Sequence, residues 1–242
     1  MTPGKEAGQD ERPTRDRLVL ATAELLRRNG YAATGVKAIL TSAHAPYGSM
    51  YHFFPGGKEE LAAAAVSSSG AAYRDHVAVL FPPGADLEQT AREAFGLAAE
   101  FLASIDYAEA CPVAAVALET ANHSEPIRMA ASHAFDSWLE VLRDRGRSSG
   151  LDEDAAGELA QTLFMLLQGA FLLARTRRDS APLLVAGEAA ADAVRSHLDR
   201  AAQREQAAPM RAAVDSIAAR HSPTPGPSSH EWGRRSQEDR WS

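Results

Sequence analysis

The segment from Asn29 to Gly57 constrains this chain more than any other. Asn29-Gly30 stops whatever helix precedes it, because glycine accepts positive φ without a Cβ penalty. Ala43-His44-Ala45, followed by Pro46, interrupts a second time, and Pro55-Gly56-Gly57 cannot continue a helix. Only two short helices fit between these breaks. One is expected over residues 35–42, with Val36, Ile39 and Leu40 inward. The other takes Pro46 into its first turn, where the missing amide has no partner to lose, and ends near Phe54. A longer helix is expected before them, from Thr14 to Asn29. Thr14 serves as its cap and Leu18, Ala21, Leu25 and Leu26 form its apolar stripe.

Three helices, the last two short and joined by a tight turn, are the parts of a helix-turn-helix. In such a unit helix two crosses the DNA backbone and helix three enters the major groove. The stretch VKAILTSAHAPYGSMYHFFPGGKEEL carries suitable groups. Gly48 permits close backbone approach, Tyr47, Ser49 and His52 offer hydrogen-bond groups, Tyr51 offers a hydroxyl to a phosphate, and Lys37 and Lys58 flank the unit as phosphate charges. Phe53 and Phe54 are expected in the core. Charge agrees with this placement. Between residues 11 and 58 seven bases face three acids, a local balance of +4, which leaves −11 for the rest of a chain of net charge −7.

The remainder reads as helix as well, with no alternating stretch of useful length and no repeat. A fourth helix is expected from Lys58 toward Leu80, ended by Phe81-Pro82-Pro83-Gly84. Five more are expected over residues 86–104, 112–121, 125–147, 152–178 and 181–201. From Gln203 onward Pro, Ser and charged residues dominate, and the segment reads as a disordered tail. The expected organisation is a flexible N-terminus over residues 1–12, a helix-turn-helix domain over 13–60 with its recognition unit near 36–55, a helical body over 61–202 and a tail over 203–242. The fold class is therefore all-α.

Several function classes fall away. The polar N-terminus MTPGKEAGQDERPTRDR has no apolar core and is no signal peptide. The longest uncharged apolar run, Leu159 to Ala174, carries Gln161 and Gln168 and is shorter than the roughly 20 residues a membrane span needs, so it reads as a buried helix. A lone cysteine, Cys111, excludes an internal disulfide framework and fits a reducing cytoplasm; it reads as a small buried residue. No HExxH or paired metal spacing occurs among the eight histidines, and no metal or cofactor is expected. No GxSxG, phosphate loop or acid/base pair suggests an enzyme.

ATAELLRRNGYAATGVKAILTSAHAPYGSMYHFFPGGKEEL resembles the DNA-binding region of TetR-type transcriptional regulators. Its markers are Asn29-Gly30-Tyr31, Thr34 before the second helix, Tyr51-His52-Phe53-Phe54 and Lys58-Glu59. Ala45-Pro46-Tyr47-Gly48-Ser49, the stretch Phe54 to Glu59, and Cys111-Pro112-Val113-Ala114-Ala115 look like the LmrA/YxaF branch. One departure is His44, where the turn commonly holds glycine, and a slightly strained turn is expected there.

The resemblance implies a homodimer that binds a palindromic DNA operator, and a helical C-terminal domain that binds a small effector and releases the operator. It implies Thr34, Lys37, Pro46, Tyr47, Gly48, Ser49, Tyr51, His52 and Lys58 as the DNA-binding set. It turns the scattered aromatics of the body into candidate cavity walls, with Phe101, Phe135, Trp138 and Phe164 favoured. The acidic body suggests a neutral or cationic, apolar effector. The last two helices are expected to form the dimer interface, with Gln168, Gly169 and Ala170 at their close approach. A DNA-binding protein without an effector, and a helical carrier or enzyme without DNA binding, are the alternatives.

Overall fold

A computed structural model describes residues 12–109 and 111–221, and among them it contains nine α-helices and no strand. They are α1 (Thr14–Asn29), α2 (Val36–Ser42), α3 (Tyr47–Phe53), α4 (Gly57–Leu80), α5 (Leu87–Ser104), α6 (Pro112–Thr120), α7 (Glu125–Ser148), α8 (Glu153–Arg177) and α9 (Ala181–His221). Residues up to Asp199 form one compact unit, and residues from Arg200 onward a second. The expected N-terminal flexible segment up to Glu11 and the tail beyond His221 lie outside the described residues. Within the tail as expected from Gln203, α9 continues instead to His221, with Pro209 inside it.

Side chains decide several helix starts. Asp86, Ser124 and Asp152 cap α5, α7 and α8 by accepting from the amides of Gln89, Ile127 and Ala155. Thr14 does not cap α1. The chain turns in at Pro13, whose carbonyl accepts from Asp16 and Arg17, so Thr14 is already the first helical residue. Pro46 likewise stands just before α3 rather than inside it. The turn between α2 and α3 places His44 at φ 47, in the left-handed region that its departure from glycine implied.

One apolar core runs from the first three helices into the body. Leu18, Ile39, Met50 and Phe54 meet Leu61 and Val66 of α4, and the same cluster continues to Val113, Ile127 and Trp138. α4 is shared. It packs on both α1 and α7, so head and body have no gap between them. Contrary to the expectation of a buried helix, α8 is largely uncovered, with 28% of its most apolar window buried. By length and composition it could cross a membrane. Here its inner face packs on α7 and its outer face carries Met165, Leu172 and Leu173 into solvent.

Candidate DNA-binding surface and cavity

α3 separates its two faces cleanly. Met50 and Phe54, four apart, point into the core, while Tyr47 (69% exposed), Gly48, Tyr51 (51% exposed) and His52 form the outward face with Pro46. The Tyr47 and Tyr51 rings lie 6.3 Å apart along that face. Ser49 is half-buried. Phe53 is exposed rather than core, because the residue beside a buried Phe54 on a helix end is turned away from it; its ring meets His52 edge-on. Lys37 of α2 is exposed and has no ion pair among the described residues.

Two of the expected DNA contacts are engaged elsewhere. Thr34 is buried, 1% exposed, and donates its hydroxyl to the Gly30 carbonyl at 2.7 Å, so its side chain fixes the α1–α2 turn. Lys58 donates its Nζ to the Tyr31 carbonyl at 2.7 Å and sits 4.1 Å from the Tyr31 ring centroid. Burial lowers its pKa, opposed by the Glu119 charge. The local basic excess is also partly used inside the fold. Arg17 donates Nε to the Ala43 carbonyl at 3.0 Å and reaches the His44 carbonyl at 3.3 Å, holding the α2–α3 turn from α1. That role had no signal in the sequence beyond a basic residue on a helix.

Two carboxylates tie the head to the body. Glu119, near the end of α6, accepts from the amides of Tyr31 and Ala32, each at 2.6 Å. Glycine is required at Gly30 by its φ of 76°, and a Cβ there would also sit 2.8 Å from that carboxylate and push it aside. Glu109, between α5 and α6, pairs with Arg27 of α1. Neither acid stood out in the sequence.

Between α4, α5, α7 and α8 the body carries a cavity of about 400 Å³ that is partly open to solvent. Its walls are overwhelmingly apolar, with Tyr73, His76, Glu109, Cys111 and Gln168 as the polar groups. Of the four expected wall residues, Phe101, Trp138 and Phe164 line it. Phe135 does not. It packs behind them, its centroid 5.5 Å from Trp138 and 5.2 Å from Phe164. Phe95 and Phe171 line the cavity too, whereas Met129 and Met165 face solvent. Cys111 is buried in the wall. Burial pushes its thiol pKa up, against smaller opposing hydrogen bonds that include the Gln168 side chain. Burial likewise raises Tyr73, beside Cys111, Arg27 and Glu109.

The three expected interface residues separate. Gln168 faces the cavity, Ala170 is buried within the protomer and Gly169 alone faces outward, with open space where a Cβ would sit. Consecutive helical residues are turned about 100° from one another, so three in a row cannot share one face. The outward apolar face of α8 is Met165, Gly169, Leu172 and Leu173, and α9 exposes Leu184 and Val185.

Comparison with known proteins agrees with this architecture. Residues 18–65 match the bacterial regulatory proteins of the tetR family, and residues 88–189 match the C-terminal domain of LmrA/YxaF-like transcriptional regulators. An uncharacterised HTH-type transcriptional regulator of Mycobacterium tuberculosis is 36% identical over 174 residues, covering 70% of this chain and 88% of the relative. The HTH-type transcriptional regulator LmrA of Bacillus subtilis is 33% identical, covering 71% and 91%. Among solved structures, the regulatory protein TetR from Rhodobacter sphaeroides superposes with a TM-score of 0.64 at 22% identity, over 74% of this chain and 98% of that one. Both halves of the chain, the exposed α3 and the cavity-bearing body, thus carry the same assignment: the chain belongs to the TetR family of transcriptional regulators, which are not enzymes, and its C-terminal domain is of the LmrA/YxaF-like type.

Proposed function

We propose that this regulator is a cytoplasmic, homodimeric repressor that holds a palindromic operator and releases it when a small, mainly apolar molecule fills the cavity of the body. Residues 13–60 are its DNA-binding head and residues 61–202 its effector and dimerisation domain. The observation that carries the reading is the cavity of about 400 Å³ in the same compact unit as an outward-facing recognition helix, with Glu109 at the cavity wall bound to Arg27 of the head.

The roles follow from position. Tyr47, Ser49 and His52 read base edges, and Lys37 and Tyr51 hold phosphates beside Pro46 and Gly48. Thr34 and Lys58 support the head from within. A single helix of seven residues reads too few bases for specificity, and a two-fold dimer doubles the site. The outward apolar faces of α8 and α9 supply a surface for the second copy.

Selection of bound duplexes from a random pool tests the reading. Enrichment of an inverted repeat is the expected result. Enrichment of a single unrepeated half, or none, removes the dimeric operator-binding proposal. Release of the selected operator by cavity ligands then separates an effector-controlled repressor from a DNA-binding protein that responds to no ligand.

A further inference from the structure

Glu109 occupies an unusual place. It lies in the wall of a mainly apolar cavity and is the one carboxylate among the described lining residues. Its partner is not on a neighbouring body helix but on α1, where Arg27 is also 3.5 Å from Glu24. The pair is mostly shielded, with side-chain exposures of 26% for Arg27 and 14% for Glu109. A carboxylate in such surroundings needs a cationic partner.

The loop that carries Glu109 is under tension. Asp106 and Tyr107 both stand at positive φ, 53° and 58°, and neither is glycine. Left-handed backbone at a non-glycine residue is unfavourable unless its surroundings hold it. Besides its own backbone hydrogen bonds, three side chains from other elements hold this loop. Arg178 pairs with Asp106, Arg175 donates to the Ala108 carbonyl at 3.4 Å, and Arg27 pairs with Glu109. Two come from the end of α8 and one from the DNA-binding head. The loop therefore bridges the sensing body and α1.

We propose that Glu109 is the docking carboxylate for a positively charged group on the molecule that fills the cavity, and that this group displaces Arg27 and so loosens α1 from the body. The proposal rests on the reading of the cavity as the effector site and adds the ligand's chemical class, an aromatic or aliphatic body bearing one cation. Two features of the site suit it. Tyr73, Trp138 and Phe101 in the same walls offer ring faces to a weakly hydrated cation. Glu24, already beside Arg27, gives the released guanidinium a second partner and lowers the cost of the exchange. A neutral ligand can fill the same space and leaves the Arg27–Glu109 pair closed.

A matched pair of probes tests this: 4-phenylbenzyltrimethylammonium and the neutral 4-phenylbenzyl alcohol. Binding is read from Trp138 fluorescence in the full chain carrying Trp232→Phe and Trp241→Phe, where Trp138 is the sole tryptophan. Glu109→Gln is expected to weaken the ammonium probe at least about tenfold and leave the alcohol unchanged, which also shows that the variant is folded. Arg27→Gln is expected to tighten the ammonium probe about fivefold, because the competitor for Glu109 is gone, and again leave the alcohol unchanged. Arg28→Gln, whose partner is Glu24, is expected to alter neither. If the alcohol binds but Arg27→Gln leaves ammonium affinity the same or lowers it, the exchange is wrong and the cavity reading stands. If neither probe binds the parent protein, both fall together.

Discussion

The indole N–H of Trp138 donates to the backbone carbonyl of Gly70 at 2.8 Å, across the contact between α7 and α4. That bond needs the two helices almost in backbone contact. A Cβ built on Gly70 would lie 2.5 Å from the Cβ of Ala134, one turn before the indole. Gly70→Ala gains up to about 1 kcal/mol of helix propensity but forces α4 and α7 apart. The net expectation is a loss of about 1–3 kcal/mol in urea denaturation, with Trp138 emission shifted to the red in the chain lacking the other two tryptophans. A stabilised Gly70→Ala protein would show that the contact has slack.

His44 gives a prediction of the opposite sign. It holds φ 47 in the turn between α2 and α3, and its carbonyl, not its ring, is what Arg17 grips. His44→Gly keeps that carbonyl and removes the Cβ strain. Stability is expected to rise by up to about 1 kcal/mol, reduced by the greater freedom of glycine in the unfolded chain. Arg17→Ala is expected to cancel the gain, because the turn then loses its anchor.

The contrast between these residues explains what could be read before the structure. Breaks at Gly30, Pro46, Pro55 and Gly84 are local chemistry, so helix boundaries came within one or two residues up to α8, and the His44 strain was visible too. Faces set by packing were harder. Phe53 and Phe54 are adjacent and equally apolar, and only the helix rotation decides which one is buried. Gln168, Gly169 and Ala170 are adjacent as well, yet they point to the cavity, to solvent and to the core. Glu109 and Glu119 pair with residues more than eighty positions away, and no spacing along the chain announces such partners. The end of α9 failed for another reason. Alanine has the highest helix propensity, and in the alanine-rich stretch up to His221 it outweighs the polar composition after Gln203.

Lys37 and Lys58 are expected to behave differently despite equal charge. Lys37→Ala removes an exposed cation beside α3 and is expected to lower the slope of log affinity against log salt by about one, uniformly across sequences. Lys58→Ala removes the hydrogen bond and ring contact to Tyr31, and its main effect is expected in the thermal stability of the head. Tyr51→Phe is expected to weaken all duplexes similarly, whereas Tyr47→Ala changes preference at one or two base positions by about 1–3 kcal/mol. Equal salt slopes for the Lys37 variant and the parent protein would remove Lys37 from the phosphate set.

The outward face of α8 and α9 predicts the assembly. Leu172 is 66% and Val185 71% exposed in the single chain, with Met165 and Leu184 beside them. The parent protein is expected to sediment as a dimer at micromolar concentration. Leu172→Asp places a charge in the proposed contact and is expected to weaken association by at least about 2 kcal/mol while leaving helix content intact. Gly169→Leu fills the open space on the same face and is expected to overpack the close approach. A monomeric parent protein sinks this interface outright.

Cys111 offers a pH test of the cavity wall. Burial holds its thiol pKa above the ordinary value, so the unfolded chain ionises first as pH rises. The sign follows: the thiol's contribution to stability is complete below its ordinary pKa of about 8.5 and is lost above it. The stability difference between the parent protein and Cys111→Ala is therefore expected to narrow between pH 7 and pH 10, measured by urea denaturation. The buried, protonated thiol is also expected to react slowly with iodoacetamide at neutral pH, and a ligand seated in the cavity to slow it further, since Cys111 and Gln168 share that wall. Fast alkylation that no cavity ligand slows would place Cys111 outside the binding site.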